Sequence, residues 1–214
     1  MDYVLGSYKG PSGDYRRMFR QTIEGLQFLH TNKIVHRDLN PACVRITIPY
    51  KTERLQMKLA DFGITRVIDH NHTEFALWRL VGDKSWLSPE SYDSLVFTTA
   101  MDIFGLGLTL GFALSRGSHP YGDDEEKRVY RIKKKKSMTL TVDQLTEVER
   151  GAQRHVFGLI QSLLSTKPSH RPTAKEVLAD PFISSSVDLS IVKQEKRMKL
   201  EAPSSSKSKR SLLL

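Results

Sequence analysis

The chain has one cysteine, Cys43, so it has neither an intrachain disulfide framework nor a multi-cysteine zinc site. An intracellular setting, cytoplasmic or nuclear, is expected. Between Met1 and Gly10 no basic stretch runs into an apolar one, so no signal peptide is expected. The longest mostly apolar stretch, Ile103 to Leu114, is too short to span a bilayer. Glycine-rich phosphate loops are missing too: Gly6, Gly10 and Gly13 lack G-x-G-x-x-G spacing, and Pro11 interrupts them, which reads as plain loop. What is present is ordinary for a globular domain: 39% hydrophobic and 27% charged residues over a length of 214.

Lysine and arginine number 33 against 24 acids, a net charge of +9. The excess is uneven. Residues 184–214 carry Lys193, Lys196, Arg197, Lys199, Lys207, Lys209 and Arg210 against Asp188, Glu195 and Glu201, with serines between. Few apolar residues recur there at helix or strand spacing, so a disordered basic Ser/Lys-rich tail is expected. A second cluster runs from Asp123, Asp124, Glu125 and Glu126 into Lys127, Arg128, Arg131 and Lys133 to Lys136. Acids first and bases last suit a surface helix and its macrodipole. A phosphate- or nucleic-acid-binding patch is the sharper and weaker reading of the same residues.

Apolar periodicity predicts mostly helices. Phe19, Ile23, Leu26 and Leu29 mark an amphipathic helix from about Asp14 to His30. Val44, Ile46 and Ile48, then Met57 and Leu59 after a polar link, predict a hairpin with one buried face. Thr98 or Thr99 can cap an apolar helix that runs to Ser115 and stops at Gly117 and Pro120. Val156, Phe157, Ile160, Leu163 and Leu164 mark another helix, and Thr173 to Glu176 has capping-box spacing before a last one. The globular part is read as residues 1–183.

Three strings occur in order: His36-Arg37-Asp38-Leu39, Asp61-Phe62-Gly63 and Ser88-Pro89-Glu90. Each alone is common by chance. Their order, the hairpin between the first two and the apolar helix after the third make them specific. The sequence resembles the C-terminal lobe of eukaryotic protein kinases of Ser/Thr type, a mainly α (α+β) fold with a small β-hairpin. Ser118-His119-Pro120-Tyr121-Gly122, with Asp102-Ile103-Phe104 upstream, looks most like the unfolded-protein-response sensor kinases that are fused to a ribonuclease. Residues 184–214 do not look like a ribonuclease domain, so that role is not expected of them.

The resemblance implies ATP-dependent phosphorylation of protein hydroxyls, with ATP and Mg2+ as cofactors and a protein substrate or partner. Asp38 would orient the proton of the attacking hydroxyl, and Asp61 would coordinate Mg2+ beside the ATP phosphates. Arg37 would pair with a phosphate on the segment from Asp61 to Glu90, where Thr73 and Ser85 are candidate phosphosites. Glu90 and Arg171 would form an internal ion pair, and Asp102 would tether the catalytic-loop backbone. His36 reads as a packed core histidine. Phe62 and Gly63 complete the metal-site turn. His70 and His72 lack a third ligand and read as solvated loop.

Several positions depart from the family pattern. Asn40 stands where a lysine would offset charge on the transferred phosphoryl group, and Cys43 where an asparagine would hold a second Mg2+. A thiol is a soft ligand and suits Mg2+ poorly. Gly82-Asp83 replaces a Gly-Thr pair and puts a carboxylate near the substrate hydroxyl. Neither Lys9 nor Lys33 lies in a strand like that of the phosphate-gripping lysine. Met1 to Val4 resembles the hinge between the lobes, so the small N-terminal lobe is expected to be absent and the chain incomplete as a kinase. Three functions stay open: an active Ser/Thr kinase, a pseudokinase scaffold that binds protein partners, and a basic nucleic-acid module.

Overall fold

The computed structural model describes residues 3–4, 14–47, 56–68, 75–76, 80–93, 96–148 and 150–184. Gly6, Lys9, Gly10, Gly13, His70, His72, Thr73 and residues 185–214 of the tail lie outside the described residues. The architecture is a helical lobe with three small sheets, in agreement with the expected mainly α class.

Helix α1 (Asp14–Thr31) buries Met18, Phe19, Thr22, Ile23, Leu26 and Leu29, the three- and four-residue spacing of one helical face. It ends at Lys33, whose φ of 60° turns the chain out of the helix. Helix α3 (Thr99–Leu114) is buried nearly all round, as its mostly apolar sequence from Ile103 onward requires, and forms the centre of the core. Thr98 caps it by accepting the Ala100 N–H at 3.2 Å. Gly105 sits where α3 meets the loop after His36: a Cβ there would lie 2.6 Å from the Leu39 carbonyl oxygen. Helix α5 (Gln153–Leu163) packs on α3 through Val156, Leu159, Ile160 and Leu163. Helix α6 (Ala174–Ala179) starts with the reciprocal Thr173–Glu176 capping box, and α7 (Pro181–Ser184) follows. Helix α4 (Glu125–Lys133) is the surface helix with acids first and bases last, capped by Asp124.

The hairpin is β3 (Val44–Thr47) with β4 (Gln56–Leu59), and β1 (Tyr3–Val4) adds a third antiparallel strand beside β3. Val44 and Ile46 pair with Leu59 and Met57, and Val44, Ile46 and Met57 are buried against the helices. Arg45 pairs directly with Lys58 on the opposite face. Two separate two-residue pairings accompany it: β2 (Ile34–Val35) with β5 (Arg66–Val67), and β6 (Phe75–Ala76) with β7 (Val96–Phe97). Among the described residues no helix is long and apolar enough to cross a membrane.

Beneath the segment that ends at Glu90, His119 is 4% exposed. Its Nδ1 accepts the Tyr121 N–H at 3.0 Å, so Nε2 carries the proton and donates to the Ser85 carbonyl at 3.1 Å. Burial, reinforced by the Arg128 charge, pushes its pKa down to about 3. The unfolded chain binds that proton near pH 6.5, so the contribution is complete above that value and is lost as pH falls towards 3. Urea denaturation from pH 7.5 to 4 should give a slope that His119→Asn lowers by up to about 1.4 kcal/mol per pH unit. Asparagine keeps an acceptor for Tyr121 but cannot take the proton. Equal slopes in both proteins would contradict the assignment.

Candidate functional site

The turn out of α1 and strand β2 deliver His36, Arg37 and Asp38 to the surface of α3. Asp102, in the first turn of α3 and 1% exposed, holds them there. Its Oδ2 accepts the His36 N–H at 2.8 Å and its Oδ1 accepts the Arg37 N–H at 2.9 Å. His30, at the end of α1, donates from Nε2 to the same Oδ2 at 2.9 Å. Arg37 adopts a φ of 74°, a conformation costly for a non-glycine residue and stabilised here by the anchored amides.

Two side chains tie this loop to Asp61-Phe62-Gly63. His36 is fully buried, its Nε2 bonds the Ala60 carbonyl at 2.9 Å, and its ring lies 5.4 Å from that of Phe62. Arg37 donates from Nη1 to the Ile64 carbonyl at 2.7 Å and lies over the Phe97 ring. Burial, with the Arg66 charge added, lowers its pKa from the usual arginine value. Phe62 and Gly63 are exposed in the turn Phe62–Ile64.

Asp38 is half-buried, and its Oδ1 accepts the Asp83 N–H at 3.0 Å. Gly82 makes this approach possible: its φ is +91°, and a Cβ there would lie 3.0 Å from the Arg37 carbonyl oxygen and 3.2 Å from Asp38 Oδ1. The Asp83 carboxylate turns onto its own backbone, capping the turn 84–86 by accepting the Ser85 N–H at 2.9 Å. Ser85 corrects a phosphosite expectation. It is 3% exposed, so in this conformation another kinase has no access to its hydroxyl.

Asn40 and Cys43 both direct a donor at the Asp38 carbonyl: Asn40 Nδ2 at 3.0 Å and Cys43 Sγ at 2.8 Å. Asn40 Oδ1 also accepts the Ala42 N–H at 2.8 Å and caps the turn Pro41–Cys43. Burial pushes the Cys43 thiol up to about 11, which keeps it a protonated donor.

Asp61 has φ 63° and ψ 55°, and its half-exposed carboxylate meets Arg45 of β3, with Nη2 3.5 Å from Oδ2. The pattern of motifs gave no reason to single out Arg45. Its cross-strand register with Lys58, on the face away from the core, is the signal that could have done so. These residues do not fit a magnesium ion. Mg2+ favours oxygen ligands in near-ideal octahedral geometry, whereas here one carboxylate is paired with a guanidinium and the second position is a protonated thiol.

Glu90, in α2 (Pro89–Asp93), meets Arg171 in a two-pronged ion pair, Nη1 to Oε1 at 2.5 Å and Nη2 to Oε2 at 2.7 Å. This pair locks the end of the segment to the turn before α6. The structure thus gathers His36, Arg37, Asp38, Asn40 and Cys43 in one loop joined to Asp61 and its turn, with Asp102 beneath it.

A helical lobe that presents a tethered His-Arg-Asp loop against an Asp-Phe-Gly turn defines the protein kinase class. The chain belongs to that family: the protein kinase domain family matches residues 6–183. The serine/threonine-protein kinase/endoribonuclease ire-1 of Caenorhabditis elegans is 31% identical over 170 residues, which cover 78% of this chain and 17% of that protein. The serine/threonine-protein kinase/endoribonuclease IRE2 of Homo sapiens is 33% identical over 171 residues, 77% of this chain and 18% of that protein. The corresponding IRE1b of Arabidopsis thaliana is 33% identical over 200 residues, 89% of this chain and 21% of that protein. The chain therefore aligns with about a fifth of the length of these relatives or less. Protein kinases as a family use ATP and Mg2+ and act on proteins.

Proposed function

We propose that this chain is a kinase-lineage scaffold, a pseudokinase that binds protein partners through its helical lobe and carries out no phosphotransfer. One observation supports it above others. The two side chains that replace the phosphoryl-neutralising lysine and the metal-binding asparagine both bond the Asp38 carbonyl. The Cys43 S–H and one Asn40 N–H hold the loop's shape, and Asn40 Oδ1 is taken by the Ala42 amide. Neither side chain supplies the lysine's positive charge or the asparagine's oxygen ligand at position 43. With catalysis by positioning and charge stabilisation, loss of both groups removes most of what the loop supplies. An intracellular setting, cytoplasmic or nuclear, is part of this reading.

A second reading, an active Ser/Thr kinase, is favoured by the presence of Asp38 and Asp61 and by the Asp102 tether beneath the loop. The full chain, incubated with ATP and Mg2+ and a generic hydroxyl-bearing protein substrate, should transfer no more phosphate than Asp38→Asn. Transfer that disappears in Asp38→Asn would overturn the scaffold reading in favour of the kinase. The nucleic-acid module is the weaker alternative, because half of its lysine run is engaged: Lys135 pairs with Asp93 at 2.7 Å, and Lys133 lies over the Tyr92 ring.

A further inference from the structure

We propose that Arg45 is a built-in counter-ion that takes the place of a divalent cation at Asp61, so that this chain does not take up Mg2+ there. The inference rests on the Arg45–Asp61 contact and holds whether or not phosphotransfer occurs.

Three features of the site converge. First, Arg45 and Lys58 lie directly opposite each other on β3 and β4, on the face away from the buried Val44, Ile46 and Met57. Like charges directly opposed on neighbouring strands repel, so an anion beside this face is favoured. Second, Asp61 supplies that anion. It follows β4 by two positions, and its left-handed backbone sets the carboxylate Oδ2 3.5 Å from Arg45 Nη2. Third, a divalent cation on that carboxylate would sit within a few ångströms of the guanidinium, with Lys58 adding positive potential from the adjacent strand. Arginine stays charged at any working pH, so this repulsion cannot be relieved by losing a proton. Divalent binding would therefore require the arginine to swing away from its anionic partner.

Arg45 is half-exposed, so its replacement leaves the core untouched. The full chain is titrated with Mn2+, a paramagnetic cation with the same preference for oxygen ligands, while free Mn2+ is read by electron paramagnetic resonance. Wild type should bind no more Mn2+ than Asp61→Asn. Arg45→Leu should bind about tenfold more tightly, since one repelling charge close to the ion has gone. Arg45→Gln, which keeps length and polarity, should do the same, and adding Asp61→Asn to either should abolish the gain. Wild-type binding that Asp61→Asn removes would overturn the proposal. So would Arg45→Leu and Arg45→Gln variants that bind no better than wild type. Because metal alone is measured, these outcomes are separate from those of the phosphotransfer assay.

Discussion

Replacing Glu90 with alanine should destabilise the chain by about 3–5 kcal/mol, the usual effect of leaving one member of a buried ion pair without the other. The Arg171 side chain is fully buried, and Glu90 is its bidentate acceptor. Two carbonyls also receive it, Ser165 at 2.8 Å and Ala100 at 2.9 Å, and its guanidinium lies over the Phe104 ring. Those contacts satisfy donors but do not neutralise the charge, and an arginine cannot shed its proton to escape. In thermal unfolding, the loss corresponds to a drop in Tm on the order of 10 °C for a domain of this size. Glu90→Leu combined with Arg171→Met should recover much of the deficit, because apolar groups of similar volume need no counter-charge. A Glu90→Ala variant within 1 kcal/mol of wild type by urea denaturation would show that water reaches the guanidinium. The pair joins the segment's end, the start of α3 and the turn before α6, so its loss should also release that segment.

The large helices were legible in the sequence because each carries its own local signal. The face of α1 repeats at helical spacing, α3 is mostly apolar from Ile103 onward behind a threonine cap, and Thr173 and Glu176 cap α6 reciprocally. The hairpin alternates over enough residues to assign its buried face. The two-residue strands β2, β5, β6 and β7 are too short to show alternation, and their pairing follows from where the helices place them. At the site, residue types were legible but their directions were not. The sequence shows that Asn40 and Cys43 replace a lysine and an asparagine, yet only the folded loop shows both bonded to the Asp38 carbonyl. Asp83 illustrates the same limit. The sequence places a carboxylate near Asp38, but a local bond to the Ser85 amide turns it onto its own backbone. Arg45 is an ordinary polar position in an alternating strand by sequence, and only the left-handed turn at Asp61 brings the carboxylate beside it.

Asp102→Ala should cost a similar amount, about 3–5 kcal/mol, through a different route: buried donors stripped of their acceptor. The amides of His36 and Arg37 and the His30 ring all end on this one carboxylate. Water cannot readily replace it at 1% exposure. Arg37 would then sit in its left-handed conformation without the anchor that stabilises it. The loop is therefore expected to open before the lobe does, and amide hydrogen exchange distinguishes the two events. Exchange at residues 36 and 37 should accelerate by more than tenfold relative to the amides of α5. Uniform acceleration across the lobe would instead mean that Asp102 supports global stability alone. Asp102→Asn is the finer probe. It keeps one acceptor oxygen and the shape of the side chain, so about half of the loss should return. Since the tether acts on backbone amides, the same effects are expected whether or not the loop above it transfers phosphate. A chain selected only for its shape would have the same reason to keep Asp102 as an active kinase.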